Sequence, residues 1–96
     1  MKIKDLRNKM KNVNVEAKVI EKSETHEVLS RFKDTTHKVA TAIIADETGT
    51  IKLTLWNEQI NKVNVNDTVK VENGYITSFR GEIQLNIGKY GKLTVG

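Results

Sequence analysis

Hydrophobic and polar positions alternate along most of the chain, and the alternation breaks at a few identifiable points. Val13, Val15, Ala17 and Val19 alternate with Asn14, Glu16 and Lys18, the two-residue period of a half-buried strand. "VATAIIADETG" (residues 39–49) predicts a second strand, closed by a turn at Asp46-Glu47-Thr48-Gly49. In the third, Ile51, Leu53 and Leu55 share one side; Thr50, Lys52, Thr54 and Trp56 share the other. "NEQINKVNVND" (residues 57–67) interrupts the pattern and has room for one helical turn. Val69 and Val71 then restart it. In "EIQLNIG" (residues 82–88), Ile83, Leu85 and Ile87 face inward while Glu82, Gln84 and Asn86 face outward. Two segments do not alternate. Ile3, Leu6 and Met10 have helix-like spacing and predict a short opening helix or turn. Residues 22–38 are polar and rich in turn formers, which reads as a long hairpin loop.

Asn73-Gly74 is ambiguous. Asn-Gly is a strong hairpin signal, yet a glycine inside a strand also marks a bulge. "TSFRGE" (residues 77–82) is a second turn signal only a few residues on, so two tight turns would leave almost no strand between them. A bent or bulged strand over Thr68–Thr77, with the hairpin tip near Phe79, satisfies both. The result is five strands with a break between the third and fourth. That pattern suits an all-β, five-stranded OB-fold barrel with a short helical turn between strands three and four, forming one domain over residues 1–96. A small sandwich or an SH3-like barrel gives a similar pattern.

Composition narrows the function. The chain has no cysteine, which excludes a disulfide framework and thiolate metal sites. No apolar run approaches the ~20 residues that span a bilayer, and "MKIKDLRNKMKN" is too polar for a secretory signal. The sequon Asn66-Asp67-Thr68 is therefore read as chance, and lysine and asparagine richness suits a microbial cytoplasm. Sixteen Lys+Arg against twelve Asp+Glu give a net charge of +4, which permits a polyanionic partner without demanding one.

The five aromatics carry the sharper signal. Trp56 falls on the polar side of its strand, out of register with Ile51, Leu53 and Leu55. Phe79 lies between Ser78 and Arg80 in a turn, where burial is hard to arrange. Plain alternation from Val71 would send Tyr75 inward, but a bulge at Asn73-Gly74 shifts the phase by one. Ile76, which has no hydroxyl to satisfy, then faces the core, and Tyr75, Thr77 and Phe79 share the outer face. Three rings on a polar surface, with Lys52 and Arg80 nearby, suit single-stranded nucleic acid: unpaired bases stack on rings for ~1–3 kcal/mol each while cations track the phosphates. The plainer reading of Trp56 is that it covers one end of the barrel or packs on the stem of Lys52. Phe32, beside Arg31 and Lys33, reads as a loop anchor or as a fourth ring; Tyr90 in "GKYGK" takes no role.

"ADETGTIKLTLW" (residues 45–56) followed by "VNDTVKVENGYITSFRGEIQLNIG" (residues 65–88) resembles the simple single-OB-fold single-stranded DNA-binding proteins of archaea and their human relatives. The D-E-T-G turn, the K-L-T-L-W strand, the bend before an aromatic, the F-R-G tip and the Q-L-N strand occur in the family's order. "KNVNVEAKVIE" (residues 11–21) fits the family's first strand. The resemblance implies non-sequence-specific binding of single-stranded DNA, with Trp56, Tyr75 and Phe79 stacking on bases. It implies basic contacts from Lys52 and Arg80, with Arg31 and Lys33 in the first hairpin loop beside Phe32. It further implies support of replication, repair or recombination. Two features depart from the family's pattern. The family carries a flexible Gly/Arg-rich or acidic tail that recruits other DNA-processing proteins, whereas this sequence stops at Gly96. The first hairpin has "FKDTTHK" where a glycine turn is common.

Other functions fit less well. His26 and His37 lie in the polar loop region, where solvation is the default, and adjacent Asp46 and Glu47 suit a turn better than a catalytic pair. No phosphate-cradling glycine loop and no metal-ligand spacing occurs, so the expectation is no enzyme, no cofactor and no metal. The rival is an OB barrel that serves as a protein-interaction subunit through its aromatic face. Single-stranded RNA is a second alternative, because stacking does not distinguish the sugars. The expected state is a monomer.

Overall fold

The computed structural model describes residues 2–29, 36–88 and 91–96. A 3-10 helix at Ile3–Asp5 precedes strands β1 (Val13–Lys22), β2 (His26–Leu29), β3 (Thr36–Asp46) and β4 (Gly49–Trp56). One turn of helix, α1 (Gln59–Lys62), leads to β5 (Thr68–Phe79), β6 (Glu82–Asn86) and β7 (Lys92–Val95). Five strands close a ring in the order β1-β3-β4-β6-β5, and β5 pairs back onto β1. All contacts in the ring are antiparallel except β4 with β6. This is an all-β OB fold. Closure pairs the first half of β5 with β1, while its second half, Tyr75–Phe79, pairs with β6.

The ring strands coincide with the five alternating runs. The two further strands extend it: β2 lengthens the hairpin with β3 inside the stretch read as loop, and β7 pairs with β5. The helical turn sits where the alternation stops, and it buries Ile60. The 3-10 helix buries Ile3, with Leu6 beside it.

Among the described residues the core is entirely aliphatic, built from Val13, Val15, Val19, Ile44, Leu53, Leu55, Val69, Val71, Ile76 and Leu85 and their neighbours. Burial of these chains is worth roughly 1.5–3 kcal/mol each. The core therefore fills without a ring, and every described aromatic side chain is exposed.

The β5 register decides the face of those rings. Val13 pairs with Gly74 but Val15 pairs with Val71, so the single residue Asn14 of β1 opposes two of β5, Glu72 and Asn73. That extra residue is a bulge, with Asn73 at φ 55°. The burial pattern slips accordingly: Val69 and Val71 are buried before the bulge, Gly74 and Ile76 after it, and Tyr75, Thr77 and Phe79 point out. Gly74 is required by close approach. A Cβ there would lie 2.8 Å from the Asn86 carbonyl oxygen and 3.0 Å from a Val71 methyl. The hairpin tip lies one residue beyond Phe79. Arg80 and Gly81 both have positive φ, 53° and 81°, the signature of a two-residue type I′ turn.

Candidate nucleic-acid interface

Strand pairing places the three rings on one face. Thr54 of β4 sits beside Asn86 of β6, and Asn86 sits beside Tyr75 of β5. Trp56 lies two residues beyond Thr54 on β4, and Phe79 four residues beyond Tyr75 on β5. Successive even steps keep the same side, so all three share the outer surface of the β4-β6-β5 sheet. Trp56 and Tyr75 are each 40% exposed and Phe79 is 58% exposed. Strand geometry separates Tyr75 from Phe79 by about 13 Å along β5, and Trp56 from Tyr75 by about 12 Å diagonally across two strands.

Each ring is positioned by its backbone. The Trp56 amide donates to Gln59 Oε1 at 3.1 Å, which anchors the end of β4 to α1. Asn57 follows at φ 51°, and its Oδ1 accepts from the Lys38 amide at 3.0 Å. That bond orients the Asn57 side chain so that Nδ2 donates to His37 Nδ1 at 3.3 Å. Tyr75 leans over Gly88: a Cβ on Gly88 would sit 3.2 Å from a Tyr75 ring carbon. The Arg80 guanidinium lies 5.2 Å from the centre of the Phe79 ring, within cation–π range.

Between the rings the face is less wet than alternation implies. Asn86 and Thr54 do face outward, but each is only 9% exposed. Asn86 Nδ2 donates to Thr77 Oγ1 at 2.9 Å and to the Gln84 carbonyl at 3.3 Å, so the amide is satisfied under its neighbours. Alternation assigns a face; it does not report how crowded that face is. The floor between Trp56, Tyr75 and Phe79 is thus a fixed polar pavement.

Lys52 lies on this face and forms an ion pair with the Glu82 carboxylate. The sequence reading had Lys52 as a cation for phosphate; the fold brings it a partner thirty residues away on the neighbouring strand. Arg80 stands at the hairpin tip beside Phe79. Arg31, Phe32 and Lys33 lie outside the described residues, as does Tyr90. His37, read as part of a solvated loop, belongs to β3 and lines a concavity of about 480 Å³ with Trp56 and Gly88. Its signal was parity: His37, Val39 and Thr41 continue one face of the strand toward its start. Asp46 and Glu47 are turn residues. Asp46 Oδ1 accepts from the amide and the hydroxyl of Thr48, at 2.6 and 2.5 Å, and from the Gly49 amide at 3.2 Å. Among the described residues no three His, Cys, Asp or Glu side chains are grouped to hold a metal, and no helix is long and apolar enough to cross a membrane.

Comparison with known proteins gives the site its context. The family described as "Single-stranded DNA binding protein Ssb-like, OB fold" matches residues 6–95. The single-stranded DNA-binding protein Ssb of Saccharolobus solfataricus is 37% identical over 92 residues, covering 96% of this chain and 61% of that protein. Replication factor A of Methanothermobacter thermautotrophicus is 34% identical over 98 residues, covering 96% of this chain and 12% of that protein. The chain therefore spans less than two thirds of either relative. Among solved structures, an OB domain from Thermoplasma acidophilum superimposes with a TM-score of 0.83 at 24% identity, covering 100% of this chain and 85% of that one, a likeness of fold.

Proposed function

We infer the function from membership: the chain belongs to the Ssb-like family of single-stranded DNA-binding proteins with an OB fold, which is not a family of enzymes. We propose that this chain itself binds single-stranded DNA without sequence preference. Trp56, Tyr75 and Phe79 stack on bases, and Arg80 together with Lys52 attracts phosphates. The observation that carries the reading is the set of three exposed rings on one face of a protein whose core needs none of them. A base covering each ring removes apolar surface from water, and any base does so, because every base has a π face. The positive φ at Arg80 supports the same reading. A non-glycine residue held in the left-handed region is disfavoured by roughly 1–2 kcal/mol, and such residues concentrate at functional sites. Its role is to hold and protect open strands in replication, repair or recombination.

The test is the intrinsic fluorescence of Trp56, the sole tryptophan, during titration with oligo-dT at two salt concentrations. Quenching that weakens steeply with salt is the expected result. Salt-insensitive behaviour would fit a protein-docking face instead and sink the reading. Ring-to-alanine variants, followed by anisotropy of a labelled oligonucleotide, are each expected to lose about 1–3 kcal/mol of binding with the melting temperature nearly unchanged. Unfolding of Trp56→Ala would show that the indole is structural. Parallel titration with oligo-rU reports the choice of sugar.

A further inference from the structure

We propose that the binding path continues past Tyr75, off the edge of β5, into a groove walled by residues 9–12, where Lys9 and Lys11 receive two more phosphates of the same strand. The inference rests on the single-strand reading above and extends its site to a segment to which the resemblance assigns no contact and which holds none of the three rings.

The groove is about 710 Å³, and Tyr75 forms part of its wall. Gly88, which packs against the Tyr75 ring, lines both this concavity and the one beside Trp56. A strand stacked on Trp56 and Tyr75 therefore meets this groove as the next concavity past Gly88. Its far wall is fixed in place. The Lys9 amide donates to the Ile76 carbonyl at 3.1 Å, and the Ile76 amide donates to the Met10 carbonyl at 2.9 Å, so the segment docks on β5 like a short added strand. Lys9 and Asn12 take positive φ, 71° and 55°, which turns the chain sharply on either side of Met10. Lys9 and Lys11 are exposed; Met10 is half-buried against the core.

Charge separates this groove from the one at the other end of the face. Lys9 and Lys11 line it with no carboxylate among the lining residues. The concavity beside Phe79 sets Lys52 and Arg80 against Glu21 and Glu82, with His26 at its rim. A polyanion leaving Tyr75 meets two cations with no carboxylate among the described lining residues in one direction, and cations matched by carboxylates in the other. Phosphate contacts need only correctly placed positive charge, and these lysines sit on a fixed backbone.

The experiment compares the whole chain with a Lys9→Asn/Lys11→Gln variant; asparagine suits the left-handed backbone at position 9. Two oligo-dT probes are used, about 4 and about 12 nucleotides long, both within the range of about 4–16 that one OB fold covers. On the long probe the variant's slope of log K against log salt should be shallower by about 1.4, since each lost single-strand phosphate contact removes about 0.7. On the short probe, held by the rings, the slope should not change. Lys11→Gln alone should remove about half of that difference and keeps the position 9 backbone native. Equal slopes on the long probe, or an equal drop on both probes, would overturn the proposal while leaving the ring platform standing. Wild-type protein that shows no salt-dependent quenching with either probe would overturn the underlying reading.

Discussion

Lys52 and Glu82 set the electrostatics of the face at the scale of single residues. In register, Lys52 of β4 is opposite Gln84 of β6, and Glu82 is opposite Phe79 of β5. The Lys52 ammonium therefore reaches back along β6 to a carboxylate that lies directly beside a candidate stacking ring. A phosphate arriving near Phe79 must compete with Glu82 for Lys52. Both side chains are largely exposed, 40% and 60%, so the pair adds little to stability, on the order of 0–1 kcal/mol. Glu82→Gln is expected to free the lysine and to tighten oligo-dT binding several-fold at low salt. Its salt slope should steepen by about 0.7, the increment for one added phosphate contact. Unchanged affinity and slope in Glu82→Gln would mean that Lys52 does not reach the strand.

The bend and tip of β5 decide at the scale of the element whether the rings form a platform. Two substitutions separate their roles. Gly74→Ala places a methyl 2.8 Å from the Asn86 carbonyl, where backbone must give way, so it is expected to destabilise by about 1–3 kcal/mol in urea unfolding. A neutral result would mean that the bulge absorbs the methyl freely. Arg80→Asn acts oppositely. Asn-Gly is the favoured pair for a type I′ turn, so stability should rise by roughly 0.5–1 kcal/mol while oligo-dT binding weakens. Loss of binding without the stability gain would assign Arg80 no backbone strain. These strand features were legible in advance. Val, Ile and Leu at alternate positions mark the five ring strands, and placing Ile76 rather than the Tyr75 hydroxyl in the core favours a phase slip at Asn73-Gly74. β2 and β7 were not legible, because "HEVL" and "KLTV" are short and are held by pairing on an existing strand rather than by a strong pattern of their own. The Lys52–Glu82 pair and the docking of Lys9 and Met10 on Ile76 were equally invisible, since each depends on which segments become neighbours. The ring face, by contrast, needed only parity and one bulge.

The N-terminal segment links distant parts of the ring at the scale of the whole molecule. Lys9 and Met10 bond to Ile76 on β5, while Ile3 is buried and its amide donates to Asp46 Oδ2 at 2.9 Å in the turn between β3 and β4. The Lys4 amide donates to Thr48 Oγ1 at 3.2 Å, and Lys2 pairs with Glu47. Asp46 is the centre of this junction. The Thr48 hydroxyl, then the Ile3 amide, hold its carboxyl down at about 2 from an ordinary value of 3.8. The folded chain thus favours the ionised form, and between those two values it binds fewer protons than the unfolded chain. Stability from Asp46 is complete above the ordinary value and is lost as pH falls through it toward about 2. Asp46→Asn cannot ionise and should unfold at lower urea than wild type at neutral pH. Comparing the two proteins at each pH cancels the contributions they share, so the difference between the two urea midpoints reports on this group. That difference should shrink as pH drops below about 4, with the curves converging near the folded value. A gap that stays constant down to the lowest pH would show that shape rather than charge at residue 46 holds the N-terminal segment. Amide exchange at Ile3 gives the local reading of the same event: its protection relative to the intrinsic exchange rate should fall in wild type over the same acid window, because the Ile3 amide loses its charged acceptor.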